Sequence, residues 1–156
     1  MSIIGIGFKL ACLTLLYSVL IISFAGYSKF DFTIHFISPE FLSIVGTILI
    51  MVGVPFLIVS IRAVNKAYKA GSLKTGGVYS VCRHPLYSAW IIFIIPGFLL
   101  FFHSWILLTI PIIMYVLFRI LIKEEEIFLQ HKFGEEYENY KKRISLLFPV
   151  FWKYRK

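Results

Sequence analysis

Charged side chains are scarce in this chain of 156 residues, since Asp, Glu, Lys and Arg together make up only 15% of it. A soluble domain carries roughly 25%. Hydrophobic residues account for 59% of the chain and aromatic residues for 18%. A water-soluble fold of this size could not bury so much apolar surface, so we expect an integral membrane protein. Helices that share one bilayer pack as one unit, which predicts a single domain over residues 1–156.

Cysteine and histidine are also few. The two cysteines, Cys12 and Cys82, cannot build a disulfide framework. The four histidines are dispersed along the chain, whereas metal-dependent membrane desaturases and hydroxylases need clustered ones, so no metal site is expected. Gly5 and Gly7 do not form a dinucleotide-binding loop, because position 10 is a leucine and no strand precedes them.

Acidic residues are outnumbered, eight against sixteen basic ones, which gives a net charge of +8. A basic chain can bind nucleic acid, but these charges border apolar segments. Attraction to anionic headgroups and control of topology explain them better. The expected partner is therefore the lipid bilayer, and no nucleic acid is expected.

Two uncharged runs dominate the first half of the chain. Residues 10–27 and 41–61 are each close to the roughly 20 residues that a membrane-crossing helix needs. They predict spans at about residues 8–27 and 41–62. We expect the first span to stay in the mature protein, because no small-residue cleavage site ends a short apolar core.

A longer stretch without formal charge lies between Arg83 and Arg119. Its 35 residues would reach about 52 Å as one helix, which is too long for a single span. Two short helices at about residues 85–102 and 104–122, folded as a hairpin with its turn near residues 102–104, fit a bilayer better. The predicted fold is therefore all-α, with about four transmembrane helices.

Charge asymmetry orients these spans. Residues 62–83 contain five fixed cations and no acid, whereas residues 26–40 contain one lysine against two acids. By the positive-inside rule the basic segment faces the cytoplasm, which places both termini and the tail, residues 123–156, on that side. Apolar residues spaced by three and four predict an amphipathic helix in the tail, with Gly134 as a break. This helix either lies on the headgroups or packs over a cytoplasmic pocket.

Two groups of residues on this side could carry chemistry. The first joins the paired glycines Gly76 and Gly77 to the Arg-His-Pro-Leu-Tyr run at residues 83–87. Glycine permits tight backbone geometry, and proline can start a helix where the chain re-enters the membrane. As an alternative, Arg, His and Tyr at this position are ordinary interface anchors.

The second group is the Glu triplet at residues 124–126, directly after the last span. Three adjacent acids beside an anionic leaflet repel one another and the lipid, so a cation should compensate them. That cation is either a nearby lysine or arginine or a bound cationic cofactor.

Together these features resemble the isoprenylcysteine carboxyl methyltransferase family and the wider group of membrane phospholipid-type methyltransferases. The resemblance runs from about Gly71 through Pro149. Its most specific parts, in chain order, are Gly77-Val78-Tyr79, Arg83-His84-Pro85-Leu86-Tyr87, the stretch from Glu124-Glu125-Glu126-Ile127 through Phe133-Gly134-Glu135-Glu136-Tyr137, Tyr140-Lys141-Lys142-Arg143 and Pro149. Residues 1–70 match only as membrane helices.

The resemblance implies that the chain binds S-adenosylmethionine and releases S-adenosylhomocysteine. Carried over position by position, the cofactor contacts would be Ser72, Leu73, Lys74, Tyr79, His84, Pro85, Leu86, Tyr87 and Glu125. Glu125 makes physical sense as a partner of the cofactor's amino or ribose groups, through a charge-assisted hydrogen bond.

One position departs from the family pattern. In the carboxyl methyltransferases an arginine one helical turn before Glu125 is thought to hold the substrate, and Leu121 stands there instead. The nearest arginine is Arg119, which on a continuous helix shares a face with Glu126. Arg119 and Glu126 are therefore the candidate catalytic residues that act on the acceptor.

The expected function is S-adenosylmethionine-dependent methyl transfer to a membrane-embedded, lipid-like acceptor, by precedent carboxyl O-methylation of a prenylcysteine-like substrate. N-, O- or S-methylation of another apolar small molecule or phospholipid is the alternative within the same reaction class. A non-catalytic membrane scaffold and an NADPH-dependent reductase with a similar membrane fold are the alternatives from other classes.

Overall fold

The computed structural model of the protein describes residues 3–70, 73 and 75–148. All regular elements in these residues are helical, which confirms the predicted all-α class. The four long helices are α1 (Ile3–Tyr27), α2 (Pro39–Ala70), α3 (Pro85–Leu100) and α4 (Thr109–Arg143). A short 3-10 turn, Gly77–Ser80, precedes α3.

Two of these helices are long and apolar enough to cross a membrane. The qualifying stretches are Gly5–Tyr27 in α1 and Pro39–Lys66 in α2. Many of their large apolar side chains are exposed, among them Leu16 and Ile48, as expected for helices whose solvent is lipid. The prediction of two long apolar helices in the first half of the chain is confirmed.

α2 packs closely along α3. A Cβ atom added to Gly46 would lie 2.6 Å from the carbonyl oxygen of Gly97, and one added to Gly53 would lie 2.6 Å from Cβ of Phe93. Any larger residue would therefore force the two helices apart. Small residues at such contacts are typical of helix pairs in membranes.

The helix α3 changes its winding along its length. It begins with Pro85 in the first turn, where proline's missing N–H costs nothing. Residues Ala89–Ile94 then form a π-helix, just before Pro96. Because proline lacks an N–H and its ring crowds the carbonyl four residues back, a wider turn at this place accommodates it.

The chain reverses between α3 and α4 at residues 101–108, which include the predicted turn. The N–H of Ile34 donates to the carbonyl of His103 at 2.8 Å, and the N–H of Trp105 donates to that of Phe32 at 3.0 Å. The loop that joins α1 to α2 is thereby tied to the hairpin turn. We call these two segments, residues 28–38 and 101–108, the loop end.

α1 packs on α4 instead of on its sequence neighbour. Near the start of α4 the hydroxyl of Tyr17 donates to Oγ1 of Thr109 at 2.9 Å. Towards the other end of the molecule a buried cluster joins three helices and the chain beyond α4. Its members are Ile6, Leu10, Tyr87, Ile91, Phe118, Ile122 and Leu147.

α4 does not end where the predicted span ends, at residue 122. It continues through the charged residues 123–126, because lysine and glutamate are strong helix formers. The break comes at Gly134, where φ is 53° and ψ is −129°. The predicted division at this glycine is confirmed, and we call the residues after it, 135–148, the tail segment.

Candidate functional site

Ionisable side chains gather where the Arg-His-Pro run meets α4. We call this group, Arg83, His84, Glu125, Glu126 and Lys141, the charged junction. The exposed fraction of the side chain is 10% for the arginine, 6% for the histidine and 13% for each glutamate. Charges this far from water need partners, since an isolated buried charge is very unfavourable.

Glu126 has those partners. The guanidinium of Arg83 donates to its Oε1, Nζ of Lys141 lies 3.0 Å from its Oε2, and the hydroxyl of Tyr137 donates to Oε1 at 3.4 Å. Burial alone would raise the pKa of this carboxyl, but His84, Lys141 and Arg83 lower it more, to about 2. Glu126 is therefore ionised at neutral pH.

Glu125, the neighbour of Glu126 in sequence, lacks such partners within the residues that the structure describes. Nδ1 of His84 lies 3.9 Å from its Oε1, which is beyond hydrogen-bond range. Its Oε2 is buried and has no hydrogen-bond partner among the described residues. Burial raises the pKa of Glu125, opposed by His84 and reinforced by Glu126. The carboxyl has an oxygen that is free to accept from a ligand.

His84 is held by its backbone and its ring. Its N–H donates to the carbonyl of Leu146 at 3.2 Å, and its imidazole packs edge-on against Phe118 with centroids 5.7 Å apart. Within the described part of the chain, Nε2 of His84 is buried without a hydrogen bond. Buried polar atoms are normally bonded, so this nitrogen and Oε2 of Glu125 indicate where the polar groups of a ligand fit.

Aromatic rings surround the charged junction. Tyr87 packs against Phe118 at 4.9 Å between centroids, and its ring lies 6.2 Å from that of His84. On the 3-10 turn, burial raises the pKa of Tyr79 to about 12, and the nearby charge of Glu125 adds to the effect. The buried polar groups of the charged junction are thus bordered by aromatic rings, a combination that is common in small-molecule sites.

The tail segment reaches the charged junction because Gly134 reverses α4. On a continuous helix Lys141 would lie about 22 Å along the axis from Glu126, but the two groups are 3.0 Å apart. The positive φ of Gly134 is favourable for glycine and costly for other residues. Sequence reasoning missed Lys141 and Tyr137 as parts of the site. The signal was a glycine placed between an acidic cluster and a basic one.

A separate cleft of about 570 Å³ opens at this reversal. Its lining residues are all exposed, and one of them, Gln130, donates to Oε1 of Glu138 at 2.8 Å. Exposed groups of this kind are solvated, so the cleft lacks the unpaired buried atoms of the charged junction.

Most of the predicted cofactor residues lie at or beside the charged junction. His84 and Glu125 belong to it, Tyr87 packs beside it, and the carbonyl of Tyr79 accepts a hydrogen bond from the tail segment. Pro85 is buried, and Leu73 and Leu86 are half-buried. The remaining two predictions, Ser72 and Lys74, fall outside the described residues.

The two predicted catalytic residues are not brought together. Arg119 is exposed, and its Nη1 lies 3.5 Å from the hydroxyl of Tyr115, one turn earlier on α4. Glu126 instead has the partners described above. Leu121 is half-buried against the hydrophobic cluster, so no cation stands where the resemblance places the substrate arginine.

Comparison with known proteins identifies the family of the chain. A family model described as the isoprenylcysteine carboxyl methyltransferase (ICMT) family matches residues 41–131, more than half of the chain. This stretch contains nearly all of α2, all of α3 and α4 almost to Gly134, but none of α1. No solved structure is significantly similar to the chain.

Curated relatives are similar to the chain over about half of its length. The protein-S-isoprenylcysteine O-methyltransferase of Mus musculus is 38% identical over 78 residues, which is 50% of this chain and 28% of that protein. Its Homo sapiens counterpart is 35% identical over 85 residues, 54% of this chain and 30% of that protein. The methanethiol S-methyltransferase of Crocosphaera subtropica is 31% identical over 95 residues, 57% of this chain and 34% of that protein. The chain thus matches only about a third of each relative.

Proposed function

Because the chain belongs to the isoprenylcysteine carboxyl methyltransferase family, we propose that it transfers a methyl group from S-adenosylmethionine to a lipid-like acceptor in the membrane. The observation that carries the proposal is a group of three buried polar atoms at the charged junction that have no hydrogen-bond partner: Nε of Arg83, Nε2 of His84 and Oε2 of Glu125. Nε2 of His84 lies 3.9 Å from Oε1 of Glu126, which is beyond hydrogen-bond range. All three residues lie inside the stretch that matches the family.

The residues at the charged junction fit this cofactor. S-adenosylmethionine carries a positively charged sulfonium, an amino group and ribose hydroxyls. A carboxylate oxygen such as Oε2 of Glu125 can accept from the amino group or a hydroxyl through a strong, charge-assisted hydrogen bond. Nε2 of His84 offers a second polar contact. The apolar and aromatic wall formed by Tyr87 and Phe118 suits the flat, weakly polar parts of the ligand.

When bound, S-adenosylmethionine supplies a methyl group on a positively charged sulfur, which keeps the electron pair of the broken C–S bond as the acceptor forms its new bond to carbon. The protein's task is then to orient and to exclude water. The tail segment contributes to both tasks, because it covers the charged junction and because its own Leu147 is buried. A carboxylate acceptor is already a nucleophile and needs no general base.

For the membrane topology we infer that α3 and the first half of α4 complete four spans with α1 and α2. At Pro85–Leu100, α3 reaches about 24 Å, slightly less than the roughly 30 Å of hydrocarbon. The basic residues of 62–83 favour the cytoplasm for the charged junction and both termini. The cofactor then enters from water and the acceptor from the bilayer.

A second candidate, S-methylation of an apolar thiol, is favoured by the environment of Leu121 and Arg119. Leu121 is packed against the hydrophobic cluster, and Arg119 is exposed. Arg83, the arginine at the described charged junction, is bonded to Glu126 through Nη1 and keeps one buried nitrogen, Nε, without a hydrogen-bond partner. A thiol needs no arginine partner, and one relative is named a methanethiol S-methyltransferase.

Calorimetry on detergent-purified protein tests the shared part of both proposals. We expect S-adenosylmethionine to bind, with weaker binding in Glu125→Gln and His84→Ala. The exposed neighbour Glu124 offers a matched control, since Glu124→Gln removes the same charge without touching the charged junction. No binding to the wild-type protein would overturn the proposal.

A labelled cofactor then separates the acceptors. Incubation with a farnesylated cysteine should give a base-labile methyl ester if carboxyl O-methylation is correct. Incubation with a long-chain alkyl thiol should give a base-stable thioether if S-methylation is correct. Labelling of neither acceptor would contradict both assignments.

A further inference from the structure

We propose that Glu126 is a positioning residue: its carboxylate fastens the tail segment across the charged junction and thereby holds Glu125 and His84 in place. This inference rests on the proposed function, because the position that matters is that of the cofactor site. It differs from the role expected from the sequence, in which Glu126 acts on the acceptor.

The bonds of Glu126 already use both of its oxygens. Oε1 accepts from Arg83 and Tyr137, and Oε2 lies 3.0 Å from Nζ of Lys141. A carboxylate has about four acceptor sites in all. At the described charged junction, the buried oxygen without a hydrogen-bond partner is instead Oε2 of Glu125. Glu126 therefore has little capacity left to bind a substrate, and its neighbour has one oxygen entirely free.

The donors to Glu126 come from both sides of the site. Arg83 precedes α3, and Tyr137 and Lys141 belong to the tail segment. One ionised carboxylate on α4 thus connects the turn before α3 to the tail. If it were neutralised, the guanidinium of Arg83, with a side chain only 10% exposed, would lose its anionic partner, which is strongly unfavourable for a buried charge.

The other bonds of the tail segment surround the same residues but are neutral. The N–H of Arg83 donates to the carbonyl of Ser145 at 2.9 Å. Oγ of Ser88 donates to the carbonyl of Leu147 at 2.8 Å, and the hydroxyl of Tyr140 donates to that of Tyr79 at 2.7 Å. The tail therefore lies directly on the backbone that presents His84, and the ion pairs of Glu126 set how firmly it is held.

Because Glu125 and Glu126 are adjacent on α4, the bonds that hold Glu126 also fix the direction of Glu125. Successive residues on an α-helix point about 100° apart. Because Glu126 is directed at Arg83 and Lys141, the rotation of α4 about its axis is fixed, and Glu125 is directed towards His84. Release of Glu126 would leave both the rotation of α4 and the closure of the tail less well defined.

The test compares Glu126→Gln and Lys141→Met with the exposed control Glu124→Gln. Amide hydrogen exchange of residues 135–148 is measured without cofactor, and the Kd for S-adenosylmethionine and kcat at saturating cofactor are measured separately. We expect faster exchange in the first two variants and a Kd about tenfold higher in Glu126→Gln, as for the loss of a hydrogen bond to a charged group. The increase in Kd should be smaller in Lys141→Met, because the lysine side chain is 41% exposed. We expect kcat at saturation to change less than twofold, and Glu124→Gln to resemble the wild type.

Several results would overturn the inference. One is a Glu126→Gln protein with a large loss of kcat at saturating cofactor and unchanged exchange, because Glu126 would then act on the acceptor. Another is faster exchange with an unchanged Kd, because the tail would then not position the site. If Glu126→Gln does not fold, Lys141→Met and Tyr137→Phe carry the same comparison. If the wild type does not bind S-adenosylmethionine, the proposed function fails, and the exchange result still decides whether Glu126 fastens the tail.

Discussion

The loop end and the charged junction each hold together segments that are far apart in sequence, but they differ in how deeply their charged side chains are buried. At each end of the molecule, backbone hydrogen bonds tie together segments that are far apart in sequence, as Ile34 to His103 at the loop end and His84 to Leu146 at the charged junction. Each end also has an acid close to a histidine. At the loop end this is Asp31, 2.8 Å from His35, with side chains that are 64% and 71% exposed.

The loop end and the charged junction differ in how deeply their ion pairs are buried. The loop-end pair is only four residues apart and is open to water, and Asp31 also accepts from the N–H of Thr33 at 2.8 Å. Such a pair orders a turn and contributes little else. At the charged junction, Arg83 and Glu126 are 43 residues apart and buried, and the adjacent Glu125 keeps an unpaired oxygen. An ion pair therefore points to a function where it is buried and where the polar groups beside it are left incomplete.

The largest expected effect on cofactor binding comes from replacing Glu125, whose carboxylate keeps an unpaired oxygen. Glu125→Gln should weaken S-adenosylmethionine binding by about 100-fold, because a charge-assisted hydrogen bond in a dry site is lost. Calorimetry gives the Kd, and Asp31→Asn at the loop end is the matched control. An equal loss of affinity in Glu125→Gln and Asp31→Asn would show that the charged junction is no more important for cofactor binding than the loop end.

Next in size is the effect of changing the backbone that brings the tail to the site. Gly134→Ala should destabilise the folded-back tail by about 1–3 kcal/mol, because alanine is strained at a φ of 53°. The measurement is the rate of cleavage of residues 135–148 by a protease in detergent. Gly26→Ala is the control, since a Cβ atom there meets nothing within 4 Å. An unchanged cleavage rate in Gly134→Ala would show that the reversal does not depend on glycine.

A pH series should separate the two adjacent glutamates. In the free protein the pKa of Glu125 is raised from its ordinary 4.5 by burial, whereas a cationic cofactor favours the ionised form. Binding should therefore release a proton, and the affinity should fall as the pH drops through the raised pKa. Calorimetry in two buffers with different heats of ionisation counts the protons. The variant Glu125→Gln should lose this dependence, and a wild type without it would contradict the assignment.

The smallest effect is expected at the loop end. Asp31→Asn should leave the free energy of unfolding almost unchanged, because exposed ion pairs are weak. A thermal shift measured beside that of Glu126→Gln provides the comparison, with the buried pair expected to matter far more. A loss at Asp31 as large as that at Glu126 would mean that exposure does not distinguish the two ends.

Local features of the fold could be read from the sequence because they depend on neighbouring residues. Run length and composition identified α1 and α2, Pro85 marked the first turn of α3, and Gly134 marked the break in α4. Apolar spacing also predicted helix beyond residue 122, where α4 continues, because a change from apolar to charged residues alters a helix's solvent and not its backbone preference.

The candidate site was predictable as a set of residues but not as a set of partners. The family motif predicted His84 and Glu125 as cofactor contacts, and the structure places Nδ1 of His84 3.9 Å from Oε1 of Glu125. The motif could not indicate that Arg119 would lie outside the charged junction, or that Lys141 would lie within it. Those outcomes depend on the direction of the chain after Gly134, which pattern and spacing on a continuous helix do not describe.

The residues themselves establish a chain of apolar helices, its membership of a methyltransferase family and the acids from which a site could be built. The state of those acids depends on the folded chain. Glu125 and Glu126 are the same residue type at adjacent positions, yet one has a raised pKa and the other a lowered one. The difference arises because ionisation responds to desolvation and to charges a few ångströms away, and the charges that matter come from residues 43 positions before and 15 positions after Glu126 in the sequence.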